Sequence, residues 1–542
     1  MRKKQSLEVI IMAVFKRRWF MWDFARQRRF DREEFLLVIN KLADLGYNGL
    51  GLYLEGAFEL KCLGGGILRK GVMTHEDAVW AKEKCGELGI FLFPMTNVVG
   101  HMEHFLRQQR FSALSSIAAP ERDINFGTPE AKDFALKIVY EYLEAFDTDY
   151  IHIGGDEATL NDKNRPVYAE FLSNLCNELI ADGKKIGIWA DLLWQHKELV
   201  APFSRDIELF DWWYYAHHAE SIEFFKGEGF KNIIVCPSEN SWAAFAGHQY
   251  ARHWRSDEDQ TPVTPDEVEA FLADGVKVLD EDKLCGMLTH WEATQGRDIW
   301  GQWSAIARSG LYMSGKLDRE GADEQIEKAV FGRITPSTEI MHIIQNEIHS
   351  LFEFPGFVAK VRQSVFIKDM FFKGSMEDND GRDKTALAEA PIGKIEKLLE
   401  SWSPEGEYEK RVYLYLVSIA ALLRATFALR GAFFAEKELY TKAAVKQFSS
   451  PEEAKALVVK FAEGFDKAAE LNREYKAKLK DFIAVSAHTE TDYIKLDNSY
   501  KYTTDMSEFL RELAGSPDFA EIPLPSLSCI LDRVMNGSVI ER

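Results

Sequence analysis

Two hydrophobic patterns alternate along the first half of the chain. Short apolar runs rich in β-branched and aromatic residues are typical of strands, and longer segments with an apolar residue every three or four positions are typical of helices. The predicted strands are Trp19–Phe24, Gly49–Leu54, Gly89–Pro94, Tyr150–Ile153, Lys185–Ala190, Ile207–Trp213, Asn232–Val235 and Gly286–His290. The predicted helices between them include Arg32–Leu45, Glu76–Leu88, Pro129–Phe146, Val167–Asp182 and Pro265–Asp274.

Capping residues mark where several of these helices begin. Thr128-Pro129 and Thr264-Pro265 each place a hydroxyl before a proline, and Glu267 completes a capping box with Thr264. Eight strands alternating with helices over roughly 270 residues predict an α/β fold, a (β/α)8 TIM barrel. The competing fold, a doubly wound open sheet, usually has a glycine-rich turn after its first strand, and none follows Trp19–Phe24.

The strand pattern stops near Leu317, and long amphipathic stretches follow. They include Glu407–Arg430 and Pro451–Lys480, the second preceded by Ser450, which with Glu453 predicts a capping box. We therefore expect a catalytic barrel over residues 1–316 and an α-helical C-terminal domain over residues 317–542. The run Val412–Leu429 carries no charge except Arg424, which favours a helix buried in a bundle over one that crosses a membrane.

Charge excludes some classes of partner. The 542 residues carry a formal net charge of −20 and the pI is about 5.3. Such a field repels phosphate backbones and anionic membrane surfaces, so we expect no nucleic-acid partner and no membrane partner. Aromatic residues make up 13% of the chain, with 13 tryptophans. Large flat side chains of this kind often line clefts that bind sugar rings, although any single tryptophan is more often core.

Cysteine usage and the N-terminus bear on the compartment. The six cysteines are scattered without a CxxC pair, which fits a reducing environment rather than a disulfide framework. Arg2-Lys3-Lys4 precedes the short apolar run Val9–Phe15, but basic residues follow at once and no small-residue cleavage site is present. We interpret the segment as mature protein, find no stretch long enough to span a bilayer, and expect a cytoplasmic location.

Catalytic residues of such barrels lie at the carboxyl ends of the strands. The residues predicted at those ends are mostly acids and aromatics, which suit sugars because carboxylates supply acid and base chemistry and indoles cover the apolar faces of pyranose rings. They are Asp23, Arg26, Glu55, Asn97, His101, His152, Asp156, Glu157, Trp189, Asp191, Trp194, Trp212, Trp213, Tyr214, Tyr215, Glu239, Trp242, His290, Trp291 and Glu292.

Two adjacent acids after the fourth strand carry the most specific signal. Neighbouring strand residues point to opposite faces, so Asp156 and Glu157 can reach one pocket only if the backbone turns. Gly154 and Gly155 permit that turn. Two carboxyls side by side cannot both ionise freely, so one pKa is expected to rise, as for a general acid beside an ionised partner. At the end of a barrel strand we prefer this interpretation to simple helix capping.

The segment His152-Ile-Gly-Gly-Asp156-Glu157 resembles the H-x-G-G-D-E signature of glycoside hydrolase family 20, the β-N-acetylhexosaminidases. Three further segments resemble the first-, third- and eighth-strand motifs of that family. They are Asp23-Phe-Ala-Arg26, Pro94-Met-Thr-Asn97-Val-Val-Gly100-His101 and Gly286-Met-Leu-Thr-His-Trp291-Glu292. The resemblance covers the whole predicted barrel, and some members carry a helical domain after it.

The resemblance implies a retaining hydrolase that uses its substrate's own acetamido group as nucleophile, an exception to the usual two-carboxylate scheme. Glu157 would be the general acid and base, and Asp156 would orient the acetamido group of a terminal β-linked GlcNAc or GalNAc. Neither a cofactor nor a metal is implied. The expected partners are β-N-acetylhexosaminide glycans, and the helical domain could form a homodimer interface, complete the pocket or support the barrel.

The resemblance also assigns substrate-binding residues. Arg26 would hold sugar hydroxyls, and Trp189, Trp213 and Trp291 would line the acetamido pocket, with Trp212 as the substitute for Trp213. Tyr214 or Tyr215 would donate to the acetamido oxygen. Further contacts are expected from His101, Trp242 and Glu292. Three departures from the family stand out: Asn97 where many members have Asp, Glu55 in place of a second-strand Asp, and Glu292 directly after Trp291.

Two other functions compete with this one. A barrel that binds amino sugars without cleaving them would have no need of the intact acid pair. A metal-dependent hydrolase or deacetylase could hold a divalent ion with His152, Asp156 and Glu157, since mixed imidazole and carboxylate ligands suit such ions. His101-Met-Glu-His104 has a spacing that is common on helix faces and loops, so we do not interpret it as a metal site.

Overall fold

The computed structural model describes residues 14–25, 28–64, 71–213, 219–238, 267–292, 298–318, 320–348, 385–435, 449–487 and 494–521. The chain divides into two compact units. The first comprises Met1–Glu239, Val263–Trp291 and Ser304–Gly332. The second comprises Asn240–Pro262, Glu292–Trp303 and Arg333–Arg542.

Eight parallel strands form a closed barrel in the first unit, each paired with its neighbours in chain order. They are β1 (Arg17–Asp23), β2 (Gly49–Tyr53), β3 (Phe91–Met95), β4 (Tyr150–His152), β5 (Lys185–Trp189), β6 (Glu208–Trp212), β7 (Asn232–Cys236) and β8 (Cys285–His290). The barrel closes because β1 also pairs with β8, with Trp19 opposite Met287. The predicted (β/α)8 barrel is confirmed, and the doubly wound sheet is excluded.

Helices lie between the strands at nearly the predicted positions. Those up to Gly332 are α1 (Arg32–Asp44), α2 (His75–Glu87), α3 (Glu103–Leu106), α4 (Pro129–Ala145), α5 (Arg165–Ala181), α6 (Asp191–Gln195), α7 (Ala219–Gly227), α8 (Glu267–Val278), α9 (Trp303–Met313) and α10 (Ala322–Phe331). Thr128 caps α4, since its hydroxyl accepts the Ala131 N–H at 3.4 Å. The predicted cap at Thr264 lies outside the described residues.

Aromatic side chains fill the inside of the barrel. The Trp19 ring packs on Phe93 with centroids 4.8 Å apart and on Phe210 at 6.2 Å. Gly49 lies opposite Trp19, and a Cβ there would come within 2.1 Å of the indole, so the strand pair needs glycine. The barrel is therefore a packed core, with its chemistry left to the ends of the strands.

An ion pair lies at the N-terminal end of the barrel. Arg17 Nη1 donates to both carboxylate oxygens of Glu208 at 2.8 Å, and the Tyr150 hydroxyl donates to the same carboxylate. Glu208 is buried, so these donors offset the cost of removing its charge from water. The pair belongs to the fold, because it lies at the amino ends of β1 and β6.

The second unit is helical. Its helices are α11 (Ser337–His342), which continues as a π-helix over Ile343–Ile348, α12 (Glu389–Ser401), α13 (Gly406–Ala435), α14 (Pro451–Ile483) and α15 (Ile494–Gly515). Phe461, Phe465 and Leu510 are fully buried in its core. The Ser450 hydroxyl caps α14, accepting the Glu453 N–H at 3.2 Å. The second half of the predicted capping box is wrong, because the Glu453 carboxylate accepts from Ser449.

The division between the units differs in detail from the boundary expected at residues 316 and 317. The helix α10 and the residues up to Gly332 group with the barrel, while residues 240–262 and 292–303 group with the helices. A barrel followed by a helical domain remains our prediction for how the chain is organised.

The helix α13 is apolar enough to require comment. By length and composition its segment Gly406–Leu429 could cross a membrane, since an 18-residue window within it has a mean hydropathy of 1.8, so the expectation that no stretch is long and apolar enough is wrong. Two-thirds of that window, 67%, is buried inside the protein. Core helices of helical bundles have the same composition. Arg424 on this helix donates to both oxygens of Glu396, at 2.6 and 2.7 Å.

Candidate active site

A sharp turn follows β4 and directs the two adjacent acids. Gly154 and Gly155 have φ angles of +78° and +102°, a region that favours glycine. A Cβ on Gly154 would lie 1.3 Å from Asn97 Oδ1, so no other residue fits here without displacing Asn97. The same oxygen accepts the Gly155 N–H at 3.2 Å. The close approach and the hydrogen bond together fix the turn.

Asp156 and Glu157 converge on one imidazole. His101 Nε2 lies 3.2 Å from Glu157 Oε2 and 3.9 Å from Asp156 Oδ2. Asp156 is buried, whereas the Glu157 side chain is 51% exposed. Two carboxyls of unequal exposure therefore lie at the same strand end, where one can contact a buried part of a ligand and the other can reach a group that stays near solvent.

Two cations neighbour the exposed acid. Arg122 Nη1 donates to the Glu157 carbonyl at 2.7 Å, and Arg122 Nη2 lies 3.6 Å from Glu157 Oε2. The pKa of His101 is raised to about 9: burial alone would lower it, but the hydrogen bond with Glu157 and the charge of Asp156 outweigh burial. His101 is therefore protonated at neutral pH and can donate to Glu157.

Burial raises the pKa of the Asp156 carboxyl, with the charge of His101 acting in the opposite direction and the charge of Glu157 adding to the rise. The pKa rise expected within the acid pair thus affects the inner residue. Asp156 Oδ1 is buried and has no hydrogen-bond partner in the described part of the chain. A ligand N–H placed there would satisfy this oxygen and favour its ionised form.

A third carboxyl, that of Asp191, lies directly after β5. Its Oδ2 accepts the backbone N–H of Glu157 at 3.3 Å. Asp191 is buried, and burial, followed by repulsion from Asp156 and Glu157, raises its pKa well above the usual value. The indole of Trp212 hydrogen-bonds to it and opposes the shift. Three carboxyls thus belong to one electrostatic group.

Indoles line the same end of the barrel. Trp189 is almost fully buried, its ring centroid is 5.9 Å from that of Trp291, and its Nε1 has no partner among the described residues. Trp212 packs against the barrel core that contains Trp189, whereas Trp213 donates to Asp211 Oδ1 at 3.1 Å. Trp212, the substitute, thus packs against the same core cluster as Trp291.

A hydrogen-bonded chain connects Asn97 and Glu55, two of the three departures from the family pattern. Asn97 Nδ2 donates to the Tyr53 hydroxyl at 2.8 Å, and that hydroxyl donates to Glu55. His104 Nε2 lies 3.6 Å from the other Glu55 oxygen, and the charge of Glu55 helps to raise the pKa of His101. Both departures thus remain part of the network around the acid pair.

Backbone strain concentrates at these strand ends. Five described non-glycine residues have positive φ, and three of them are Glu55 at +41°, His101 at +53° and Glu157 at +48°. Such conformations cost about 1–3 kcal/mol each and persist only where neighbouring contacts enforce them. Strain at three successive strand ends is typical of a functional site.

Several predicted site residues are not part of the geometry described above. Arg26, Tyr214, Tyr215 and Trp242 fall outside the described residues, and Glu292 is buried and belongs to the second unit. The roles assigned to them stay predictions.

His152 belongs to the core of the barrel. It is fully buried, and its Nδ1 accepts the Gly154 N–H at 3.2 Å. Burial lowers its pKa far below the usual value, so the ring is neutral. Within the described ranges no three His, Cys, Asp or Glu side chains are grouped as metal ligands would be.

Sequence reasoning missed Arg122 and Asp211, and it left Asp191 without a role. Asp191 was visible as the acid after a strand-end tryptophan. Asp211 is within a predicted strand and could have been recognised as a buried acid. Arg122 lies on a long loop after β3, and nothing in its local pattern marks it as a contact of the acid pair.

A cavity of about 920 Å³ lies at the opposite end of the barrel, near the amino ends of β3 and β4. Two of its acidic lining residues are in ion pairs: Asp147 lies 2.7 Å from Lys82 Nζ, and Asp149 lies 2.9 Å from Lys185. Because active sites of this fold lie at the other face, we interpret the cavity as a feature of the surface.

Comparison with known proteins gives likenesses of fold. The chain matches no protein-family model and no curated protein. It is similar to Dispersin B at 16% identity, with a TM-score of 0.40 over 56% of this chain and 98% of that one. It is also similar to a glycoside hydrolase family 20 β-N-acetylglucosaminidase, at 17% identity and a TM-score of 0.44 over 59% and 75% of the two chains.

A third similar structure is the GH20 β-N-acetylhexosaminidase from Streptomyces coelicolor A3(2), at 15% identity and a TM-score of 0.41 over 58% of this chain and 69% of that one. At these identities and TM-scores the likenesses carry no conclusion on function. The geometry of the site has to supply it.

The turn after β4 predicts a large difference between two glycine substitutions. Gly154→Ala and Gly183→Ala place alanine at φ +78° and +77°, but a Cβ at Gly183 meets nothing within 4 Å. Both should lose about 1–2 kcal/mol to the left-handed backbone. Gly154→Ala should lose about 1–3 kcal/mol more, because its Cβ displaces Asn97. Urea unfolding of the two variants measures the difference; equal losses would contradict the account of the turn.

The raised pKa of the buried Asp211 predicts that the stability of the protein depends on pH in an unusual way. Burial raises its pKa to about 7, although its hydrogen bonds with Ser221 and Trp213 oppose the rise. The folded protein then binds this proton more tightly than the unfolded chain. The protonated Asp211 therefore contributes to the free energy of unfolding fully below pH 4, and this contribution is lost as pH rises to about 7. Between pH 4 and 7 the free energy of unfolding of the wild type should fall by up to about 4 kcal/mol relative to that of Asp211→Asn.

Chemical denaturation of both proteins at several pH values measures this difference. Asp206→Asn is the matched control, since Asp206 is exposed and pairs with Lys231 on the surface at 2.6 Å. A wild-type minus Asp211→Asn difference that stays constant between pH 4 and 7 would show that Asp211 is ionised throughout.

Proposed function

We propose that the chain is a retaining exo-β-N-acetylhexosaminidase that removes terminal β-linked GlcNAc or GalNAc with help from the substrate's acetamido group. One observation carries this proposal: a buried carboxyl with an unpartnered oxygen, Asp156, lies beside a half-exposed carboxyl, Glu157, and both face His101. The inner acid suits an amide N–H, and the outer acid suits a glycosidic oxygen.

In the proposed first step the acetamido N–H donates to Asp156 and the acetamido oxygen attacks the anomeric carbon. The bond to the leaving group breaks, and Glu157 transfers its proton to the departing oxygen. The product is an oxazolinium ion, whose positive charge the Asp156 carboxylate stabilises. In the second step Glu157 removes a proton from water, which attacks the anomeric carbon and reopens the ring with net retention.

The surroundings support these roles. The chain's own cations, His101 and Arg122, lie on the side of Glu157, so the leaving-group oxygen would enter a region of positive charge. Trp189 and Trp291, with ring centroids 5.9 Å apart, supply apolar faces at the same end of the barrel, as a pyranose ring and its methyl group require. The donor to the acetamido oxygen, Tyr214 or Tyr215, remains a prediction from the resemblance.

Two variants test the mechanism. Glu157→Gln removes the acid, and Asp156→Asn removes the charge that balances the oxazolinium ion. Each should lower kcat by about 10²–10⁴-fold on a phenyl β-N-acetylglucosaminide, with a small change in KM. Asp162→Asn is the matched control, since Asp162 is exposed. Among the described ion pairs its one partner is Arg165, at 3.2 Å. Steady-state kinetics with each purified variant measure the effect.

The outcomes separate the competing functions. Near-normal rates for Asp156→Asn would overturn the substrate-assisted mechanism. No turnover by the wild type between acidic and neutral pH, together with binding of a thiazoline mimic of the intermediate, would favour a sugar-binding barrel. Loss of activity on treatment with a chelator, restored by a divalent metal, would favour the metal-dependent hydrolase.

We further propose a cytoplasmic location and allow for a homodimer through the helical domain. Support for a reducing compartment comes from Cys85, Cys176 and Cys236, which are buried and free. We propose neither a nucleic-acid nor a membrane partner, because the chain carries a net charge of −20. Fractionation of cells and sedimentation of the full chain measure location and oligomeric state.

A further inference from the structure

The backbone of the proposed general acid is held in a costly conformation. Glu157 has a φ of +48°, which a residue with a side chain adopts only when contacts on its peptide groups enforce it. Two such contacts exist. Arg122 donates to its carbonyl at 2.7 Å, and Asp191 Oδ2 accepts its N–H at 3.3 Å. The two contacts hold both ends of the residue, and its carboxyl then lies against His101.

Asp191 is well placed for this role because it is itself fixed. It directly follows β5 as the first residue of α6, and it is buried. Trp212 hydrogen-bonds to its carboxyl, so an indole and a backbone N–H define its orientation. Its other oxygen, Oδ1, is buried without a partner among the described residues. If Asp191 were ionised, this buried oxygen would carry unpaired negative charge, which is costly. If Asp191 is a carboxylic acid, the oxygen carries a proton instead.

We propose that Asp191 is a positioning residue of the site, which in its neutral form accepts the Glu157 N–H and thereby aims the Glu157 carboxyl at the leaving-group oxygen. This inference rests on the proposed function. It assigns a third carboxyl to the site, and that carboxyl acts through Glu157 rather than on the substrate.

The charges around Asp191 favour the neutral form. Asp156 and Glu157 face it from the turn after β4. Burial first, and repulsion from these two carboxyls second, raise the pKa of Asp191 well above its usual range. Tyr168, whose hydroxyl donates to the Gly155 carbonyl, also feels its charge. A neutral acid keeps a carbonyl acceptor for the Glu157 N–H and avoids a third negative charge.

The test uses two substitutions and two substrates. Asp191→Asn keeps an oxygen acceptor in nearly the same shape, and Asp191→Ala removes it. The substrates are the phenyl and 2,4-dinitrophenyl β-N-acetylglucosaminides, which share the sugar but differ in how much the leaving group needs a proton. Asp191→Ala should lower kcat about 10²-fold on the phenyl glycoside and under about threefold on the dinitrophenyl glycoside, because only the first depends on the acid.

Asp191→Asn should stay within about threefold of the wild type on both substrates, with its pH–rate profile unmoved. Leu193→Ala is the control for simple loss of packing, since Leu193 is buried on the same short helix, α6. It should lower the two rates by the same factor or not at all. A leaving-group dependence confined to Asp191→Ala is an effect that destabilisation alone would not produce.

Three results would overturn the inference: an equal loss on both glycosides for Asp191→Ala, a loss for Asp191→Asn as large as for Asp191→Ala, or a shifted pH profile for Asp191→Asn. The activity of the wild type distinguishes failure of this inference from failure of the proposed function. If the wild type cleaves both glycosides and Glu157→Gln shows the leaving-group dependence, only the role of Asp191 is at fault. If the wild type cleaves neither, the proposed function fails first.

Discussion

The close approach of Gly154 to the Asn97 side chain is the constraint on which the site depends. With a Cβ position only 1.3 Å from Asn97 Oδ1, the chain after β4 has room for glycine alone. The resulting turn sends two successive residues to the same side of the strand end, which an extended strand cannot do. Without it Asp156 and Glu157 would point apart, and neither the convergence on His101 nor the contact with Asp191 would form.

That convergence sets the electrostatics of the site. Two carboxyls within 4 Å of one imidazole nitrogen, with a third at the Glu157 backbone, would repel each other in a buried setting. The structure balances them in two ways. His101 and Arg122 place positive charge on the exposed side, next to Glu157, and burial favours the neutral form of Asp191. The outer and inner acids thereby acquire different chemistry from one short segment.

The sequence predicts the barrel and the acid pair because both are local. An apolar run of strand length, such as Gly49–Tyr53, predicts a strand, and the two glycines before Asp156 predict a turn. The partners of the pair depend instead on which loops fold over the strand ends. Arg122 reaches Glu157 across 35 positions of the sequence, so no local pattern could assign it. Trp212 and Trp213 are adjacent in sequence, but in the structure Trp212 hydrogen-bonds to Asp191 whereas Trp213 donates to Asp211.

Two of the departures from the family pattern, Asn97 and Glu55, are better understood together than singly. Asn97 is uncharged where the resemblance implies an acid, but its amide accepts the Gly155 N–H and donates to the Tyr53 hydroxyl. An ionised carboxylate has no proton to donate, so it could bind Tyr53 only by accepting the hydroxyl proton that Tyr53 gives to Glu55. Tyr53 in turn donates to Glu55, and the charge of Glu55 helps to keep His101 protonated. The negative charge is thus carried one strand away, on β2 rather than β3.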